Sequence, residues 1–277
     1  MNIKVNEYGV CVESVPCLDI GLCLDCGQAF RFRETEKGHF HGVAFGRVLD
    51  ITETENGYLF ENVTEDEFEN IWKPYFDLDR DYEKICAGFD DSWLIKARDE
   101  FYGIRILKQE PWEALCSFII SQNNNIPRIK GIIERLCESF GDKIGENDYT
   151  FPSYEVLCRK TVEDLAVLRA GFRAKYIIDA AQKVKNGEVD LYNLHTMPID
   201  KAREELIKIK GVGAKVAECT LLYGIGKVEA FPVDVWVKRI MSELYPEGLP
   251  LCTKGIEGIA QQYLFHWRRM TQEFQTV

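Results

Sequence analysis

The 277-residue sequence has no run of about 18 apolar residues and no continuous apolar segment near its start. We therefore expect neither a transmembrane helix nor a secretory signal peptide, and we expect a cytoplasmic protein. The sequence also lacks low-complexity tracts, repeats of fixed period and a nucleotide-binding glycine motif after a predicted strand. These absences argue against a solenoid and against a nucleotide-dependent enzyme of small molecules.

Positive charge is scarce over the chain as a whole. The sequence has 34 Lys and Arg against 45 Asp and Glu, a net charge of -11. This balance argues against a broadly basic surface that coats nucleic acid, although it permits a local basic site. Residues 201–241 run against the average, with eight basic and five acidic side chains.

The ten cysteines are scattered, and only Cys23 and Cys26 form a C-x-x-C pair. No second pair follows at the spacing of a zinc ribbon. Without a secretory signal, reduced thiols are the expectation. We interpret Cys23 and Cys26 as buried thiols on a strand, with a zinc site as the alternative.

The hydrophobic pattern changes along the chain, and the length favours about two domains. Residues 1–105 alternate apolar and polar positions in short runs, which predicts an antiparallel sheet domain, with helices at 65–75 and 81–89. From Pro111 onward the period is helical. The sequence therefore predicts an α+β fold, with an all-helical region of two subdomains in 106–277.

The segment IKIKGVGAKVAEC, Ile207 to Cys219, places two glycines between two helical patterns. It predicts a helix–hairpin–helix at about 202–225. Backbone N–H groups of such a turn and of the following helix start converge on an anion, which on DNA is a backbone phosphate. We place these contacts at Gly211, Gly213 and Val216. The alternative is a pair of capping and packing glycines.

Lys215 opens the second helix of this hairpin. The helix dipole and apolar neighbours both lower the pKa of a lysine, which makes it a usable amine nucleophile. The alternative is a surface lysine that touches phosphate. In the later segment FPVDV, Asp234 precedes a helical pattern. It can cap that helix, and as a carboxylate facing Lys215 it can stabilise positive charge developing on a sugar.

These residues carry a family resemblance. GVGAKVAEC followed about twenty residues later by FPVDV resembles the helix–hairpin–helix, Gly-Pro-Asp signature of base-excision DNA glycosylases. Four more segments resemble, in the same order, those of the 8-oxoguanine DNA glycosylase family. They are DCGQAFRFRE (25–34), EPWEALCSFIISQNNNIPRI (110–129), RAGFRAKY (169–176) and GIAQQYLF (258–265). The similarity runs over nearly the whole chain.

The resemblance implies a bifunctional enzyme with a TBP-like N-terminal sheet. Lys215 matches the Schiff-base nucleophile, and Asp234 matches the acid that stabilises the charged sugar. The implied substrate is double-stranded DNA with 8-oxoguanine opposite cytosine. The base is excised and the abasic strand is cleaved by β-elimination. We expect a monomer without a cofactor, acting at the nucleoid of a bacterium.

The resemblance also assigns the base pocket. 8-Oxoguanine carries an N7–H donor where guanine has an acceptor, so selection requires a hydrogen-bond acceptor there. Gly27 matches the glycine whose backbone carbonyl supplies it. Gln261 matches the glutamine that binds the Watson–Crick edge, and Cys219 and Phe265 match the pair that sandwiches the base. Without the resemblance, the last three would be interpreted as helix core and Gly27 as a turn residue.

Other matches concern the opposite strand. Asn123 matches the asparagine that fills the space left by the extruded base. Arg128 matches the arginine that recognises the opposite cytosine. Phe172 matches an aromatic wedge residue that is tyrosine in better-known members. Trp236 replaces a phosphate-contacting histidine, and Lys210 replaces the proline before G-V-G. These departures bear on phosphate contacts and on selection of the opposite cytosine.

No metal is required for the implied chemistry. The family hairpin can hold a monovalent cation at backbone carbonyls, which here would be those of Ile207, Ile209 and Val212. A related branch of glycosylases carries an iron–sulfur cluster on four cysteines after the hairpin, whereas only Cys252 follows Cys219 here.

Two rival interpretations stay open. One is a glycosylase for alkylated bases or oxidised pyrimidines, which the combination of Gly27, Gln261 and Phe265 disfavours. The other is a non-catalytic DNA-binding module, which would need neither Lys215 nor Asp234.

Overall fold

The computed structural model describes residues 1–273. Its N-terminal part forms one six-stranded sheet in the order β1-β2-β6-β5-β4-β3, and all neighbouring strands are antiparallel. The predicted antiparallel sheet is therefore confirmed. The strands are β1 (Asn2–Asn6), β2 (Gly9–Glu13), β3 (Phe32–Glu36), β4 (His39–Ala44), β5 (Arg47–Thr54) and β6 (Gly57–Glu61).

From Pro111 to residue 273 the chain is built of helices and connecting loops, as the change of period predicts, and shorter helices also occur within residues 1–105. The helices are α1 (Ile20–Asp25), α2 (Glu65–Glu67), α3 (Lys73–Tyr75), α4 (Tyr82–Ala87), α5 (Ser92–Glu100), α6 (Pro111–Ile120), α7 (Ile126–Phe140), α8 (Tyr154–Leu157), α9 (Arg173–Lys185), α10 (Ile199–Ile207), α11 (Ala214–Thr220), α12 (Val235–Leu244) and α13 (Glu257–Glu273). Single π-helical turns at Phe68–Trp72 and Leu221–Ile225 prolong α2 and α11. Short 3₁₀ turns lie at Asp164–Leu168, Leu191–Thr196 and Leu251–Thr253.

Two clusters of buried apolar side chains hold these elements together. The first lies on one face of the sheet, where alternate residues such as Leu49 and Ile51 pack with the aromatic residues of 68–76. The second fills the helical region and also includes Cys26 and Phe30. The segment between α1 and β3 therefore reaches from the sheet into the helical core. The domain boundary near residue 105 stays a prediction.

The prediction that Cys23 and Cys26 lie on a strand is wrong. The Asp19 side chain accepts a hydrogen bond from Leu22 N at 2.8 Å and starts α1, which contains Cys23 and has Cys26 as its C-cap residue. The Cys23 thiol donates to the carbonyl of Gly103 at 3.3 Å. Burial raises the pKa of the Cys26 thiol to about 12. Both thiols are therefore protonated, buried packing groups.

Within residues 1–273, no group of three or more His, Cys, Asp or Glu side chains is arranged to hold a metal ion. No helix in this range is both long and apolar enough to cross a membrane.

Candidate active site and DNA interface

The predicted helix–hairpin–helix is formed by α10 and α11. Gly211 lies in the turn with φ +79°, and a Cβ added there would lie 2.3 Å from the ring of Tyr176 on α9. Only glycine satisfies both conditions. Gly213 is the N-cap residue of α11, and nothing lies within 4 Å of its Cβ position. Gly213 is therefore not a packing glycine, in contrast to Gly211.

The start of α11 presents free backbone donors. The first helical bond there runs from Ala217 N to the Gly213 carbonyl at 3.0 Å. Among the described residues, the N–H groups of Ala214, Lys215 and Val216 have no acceptor. Amides in this arrangement, at the positive end of the helix dipole, can bind an anion.

Lys215 lies against α6. Its Nζ donates to Ser121 Oγ at 2.8 Å and lies 5.3 Å from the centroid of the Phe118 ring. In the part of the chain that the structure describes, no carboxylate lies within ion-pairing distance of Nζ, so its partner is a neutral hydroxyl. The amine is thus half-buried, at the end of α6 where the chain turns toward α7. Phe118 and Ser121 lie in the segment 110–129 that carries the family resemblance, but no role was predicted for either.

Asp234 is the N-cap of α12, as predicted. Its Oδ1 accepts hydrogen bonds from Trp236 N and Val237 N, both at 2.9 Å. Within residues 1–273 its Oδ2 has no partner, so one carboxylate oxygen is left for the site. Glu218 of α11 accepts a hydrogen bond from Phe231 N at 2.7 Å and ties the preceding loop to the hairpin.

Cys219 lies near both predicted catalytic residues. Its side chain is 2% exposed. Burial raises the pKa of the Cys219 thiol to about 11, while the Lys215 ammonium lowers it and the Asp234 carboxylate raises it. Both charges therefore act on the same sulfur. The structure brings Lys215 and Asp234, 19 residues apart in the sequence, to one buried thiol.

The predicted base-recognition residues on α13 face the loop after α1. Gly27 has φ +88°, and a Cβ there would lie 3.5 Å from the Phe265 ring. Gln261 lies one helical turn before Phe265 and is 4% exposed. Its Oε1 is buried without a partner among the described residues. A buried, unpaired amide oxygen costs about 1–3 kcal/mol, and a ligand donor would remove that cost.

The three residues predicted for the opposite strand also lie together. Asn123 is exposed with φ 47°, Arg128 is exposed, and Phe172 is 45% exposed. Arg173 joins them: it donates to the carbonyl of Asn123 at 2.9 Å, and its guanidinium lies 4.5 Å from the Phe172 ring centroid. Burial and the nearby charge of Arg128 lower the pKa of Arg173. Arg173 lies in the segment RAGFRAKY that carries the family resemblance, but no role was predicted for it.

The positive charge of the hairpin is smaller than its composition indicates. Lys208 pairs with Glu205 at 2.5 Å, and Lys210 lies 3.8 Å from Asp179. At the position of the family's phosphate-contacting histidine, the Trp236 ring lies 5.5 Å from the guanidinium carbon of Arg239. Backbone amides, more than net charge, are therefore the phosphate-binding groups that this surface offers.

A cleft of about 450 Å³ lies elsewhere, between β3 and α7. Its lining includes Arg31, Arg33 and Lys130 but none of the predicted site residues. Its size therefore adds nothing to the assignment of the site.

Two family models together match most of the chain. One, described as "8-oxoguanine DNA glycosylase, N-terminal domain", matches residues 12–115. The other, described as "HhH-GPD superfamily base excision DNA repair protein", matches residues 116–248 and includes the hairpin, Lys215 and Asp234. The fold and the family models define a protein of the helix–hairpin–helix class of base-excision repair proteins.

Similar proteins narrow the class. An N-glycosylase/DNA lyase of Saccharomyces cerevisiae is 33% identical over 275 residues, covering 88% of this chain and 70% of that protein. The solved structure of Clostridium acetobutylicum 8-oxoguanine glycosylase/lyase, with double-stranded DNA containing cytosine opposite 8-oxoguanine, is 38% identical, with a TM-score of 0.91 over 98% of this chain and 99% of that one. MBOgg1 in complex with a low-affinity DNA ligand is 42% identical, with a TM-score of 0.92 over 98% of this chain and 100% of that one. The chain belongs to the 8-oxoguanine DNA glycosylase family.

Proposed function

We propose that this protein excises 8-oxoguanine from double-stranded DNA through a Schiff base on Lys215 and then cleaves the abasic strand. The main support is that Lys215 and Asp234 both lie near the buried Cys219, while Asp234 Oδ1 caps α12 and Oδ2 has no partner within residues 1–273. Both relatives named above as glycosylase/lyases support the two activities.

The proposed chemistry begins with the lesion nucleotide turned out of the duplex. The Lys215 nitrogen, in its unprotonated form, forms a bond to C1′ as the bond from C1′ to the base breaks. The base leaves with that electron pair and takes up the proton that the nitrogen loses. The Asp234 carboxylate stabilises the positive charge that develops on the sugar. Opening of the sugar ring gives an imine, and loss of a proton from C2′ then expels the 3′ phosphate. Water hydrolyses the imine and restores the lysine.

Recognition depends on whether N7 of the base is a hydrogen-bond donor or a hydrogen-bond acceptor. The Gly27 carbonyl would accept from N7–H of 8-oxoguanine, whereas guanine would place its own N7 lone pair against that oxygen. The amide of Gln261 would bind the Watson–Crick edge, and its unpaired Oε1 requires a donor. Cys219 and Phe265 would enclose the two faces of the base.

The DNA contacts form the third part of the proposal. Phosphates would bind the amides of Gly211, Gly213 and Val216. The exposed Asn123, Arg128 and Phe172 would meet the opposite strand, at cytosine by analogy with the C. acetobutylicum complex.

Three further features of the proposal concern the whole protein. It acts as a monomer without a cofactor, and its substrate places it with the chromosome, at the nucleoid in the cytoplasm of a bacterium. A monovalent cation at the carbonyls of Ile207, Ile209 and Val212 would support the hairpin. The Ile209 carbonyl also accepts from Val212 N at 3.1 Å.

The test is to compare base release from matched duplexes that carry 8-oxoguanine, guanine or 3-methyladenine opposite the same base, with strand cleavage measured in parallel. We expect release of 8-oxoguanine alone, followed by a β-elimination product. Preferred release of 3-methyladenine would assign the chain to the alkylated-base rival. Tight DNA binding without release of any base would assign it to the non-catalytic module.

A further inference from the structure

Two glutamines hold the peptide groups on either side of the Gly27 carbonyl. Gln262 Nε2 donates to the carbonyl of Cys26 at 3.0 Å, and Gln109 Nε2 donates to the carbonyl of Gln28 at 2.7 Å. Over residues 1–273, no hydrogen bond reaches the Gly27 carbonyl that lies between them. The Gly27 carbonyl is therefore an unpaired acceptor between two carbonyls that already accept hydrogen bonds.

The side chain of Gln28 is fixed as firmly as its backbone. It is fully buried, and its amide nitrogen donates to the carbonyls of Cys23 at 3.0 Å and Arg105 at 2.7 Å. Its amide oxygen accepts from Leu107 N at 2.9 Å. Its amide nitrogen also donates to Cys26 Sγ at 3.2 Å. The residue after Gly27 therefore cannot turn without breaking four buried hydrogen bonds of this side chain.

Both outer glutamines are anchored to one residue next to the catalytic helix. Tyr223, in the π turn that follows α11, donates its hydroxyl to Gln262 Oε1, and its carbonyl accepts from Gln109 N at 2.7 Å. Gln262 is 1% exposed and Gln109 is 7% exposed. The loop that carries Gly27 is thus joined through buried amides to the helix that carries Lys215.

We propose that Gln28, Gln109 and Gln262, the Gly27 clamp, are positioning residues that hold the Gly27 carbonyl as a rigid acceptor for the N7–H of an oxidised purine. This proposal rests on the proposed function. A carbonyl that can rotate would turn away from the lone pair of guanine N7. The discrimination between 8-oxoguanine and guanine would then fall. A carbonyl held from both sides cannot turn, so guanine meets an unrelieved repulsion and 8-oxoguanine meets a preorganised partner.

The test separates base recognition from the lysine chemistry. Gln262→Met and Gln109→Met each remove one clamp bond at similar side-chain volume. Tyr223→Phe combined with Gln262→Met avoids a stranded tyrosine hydroxyl if the single variant folds poorly. Gln182→Met, at an exposed position of α9, is the matched control. Each variant is assayed for release of 8-oxoguanine and for cleavage of a preformed abasic site, which needs no base recognition. Affinities for 8-oxoguanine and guanine duplexes are measured in the Lys215→Gln background.

We expect each clamp variant to lower the affinity ratio of 8-oxoguanine to guanine by about tenfold, the equivalent of one buried hydrogen bond. Release of 8-oxoguanine should fall while abasic-site cleavage is retained. Equal losses of both activities, or an unchanged affinity ratio, would overturn the clamp and leave the proposed function standing. A wild-type protein that cleaves abasic sites but releases no 8-oxoguanine would overturn both.

Discussion

The reaction centre and the opposite-strand cluster are held by the fold in opposite ways. Lys215, Cys219 and Asp234 are tied by their side chains to neighbouring elements or buried among them. Asn123 and Phe172 lie exposed, and Arg173 holds the Asn123 loop by its backbone carbonyl. The protein therefore preorganises the groups proposed to do chemistry, and it leaves the side chains proposed to meet the second DNA strand exposed.

This difference has an energetic reason. Charge that develops during bond breaking is stabilised best by groups already in place. A wedge has no partner until DNA is bound, so it must tolerate water in the free protein. Substitutions in the reaction centre should therefore change rates, and substitutions in the opposite-strand cluster should change binding.

Lys215→Gln is expected to have the largest effect. Removal of the nucleophile should lower both base release and abasic-site cleavage by at least about a thousandfold. Affinity for the lesion duplex should be retained. Lys37→Gln, at an exposed hairpin turn of the sheet, is the control. The experiment combines single-turnover excision with a gel-shift titration, and retained excision in the variant would remove Lys215 from its role.

Asp234→Asn tests whether the carboxylate does more than cap α12. Asparagine caps a helix as well as aspartate does, so stability should be unchanged while the excision rate falls by about a hundredfold to a thousandfold. Asp234→Ala should lose the same rate and also about 1 kcal/mol of stability. Rates and thermal unfolding are measured on both. A rate loss only in the alanine variant would reduce Asp234 to a cap.

Cys219 reports how closed the reaction centre is. Its raised pKa of about 11 and its burial predict that alkylation at pH 8 is about a hundredfold slower than that of free cysteine. The rate should rise with pH until about pH 11, because the thiolate is the reacting form. Mass spectrometry of the tryptic peptide 216–227, with Cys219→Ala as the assignment control, follows the reaction. Alkylation as fast as that of free cysteine would show an open centre.

Two phenylalanines compare the regions directly. Phe172→Ala should weaken lesion-duplex binding by about tenfold and change stability by no more than about 0.5 kcal/mol, since the ring is half-exposed. Phe118→Ala removes a buried ring beneath Lys215 and should cost about 3–5 kcal/mol of stability. Binding titrations and chemical unfolding measure both. Similar losses of stability at the two positions would show that the reaction centre and the opposite-strand cluster do not differ in this way.

The local features of the fold could be predicted from the sequence. Alternating polarity marked the sheet, two glycines marked the hairpin, and a carboxylate before a helical pattern marked the Asp234 cap. The error at Cys23 and Cys26 arose because α1 is six residues long, too short to show a helical period. The roles of Gly27, Gln261 and Phe265 came from family resemblance, since each is locally indistinguishable from a core or turn residue.

Long-range partners could not be found in the same way. Ser121 lies 94 residues from Lys215, and Gln262 lies 236 residues from Cys26, so no local pattern joins them. Arg173 is another residue whose partners no local pattern indicates. From the sequence alone, a single arginine in a helix is interpreted as a surface residue, because its carbonyl partners are distant in the chain. Only the tertiary structure shows which distant side chains position a site.

The most direct test of the account is borohydride trapping on a duplex with 8-oxoguanine opposite cytosine, followed by mapping of the modified peptide. Reduction of the imine would leave a stable bond between the sugar and the enzyme. We expect an adduct on Lys215 that is absent with an undamaged duplex and absent in Lys215→Gln. Release of the base with no trapped adduct, or an adduct on another lysine, would contradict this expectation.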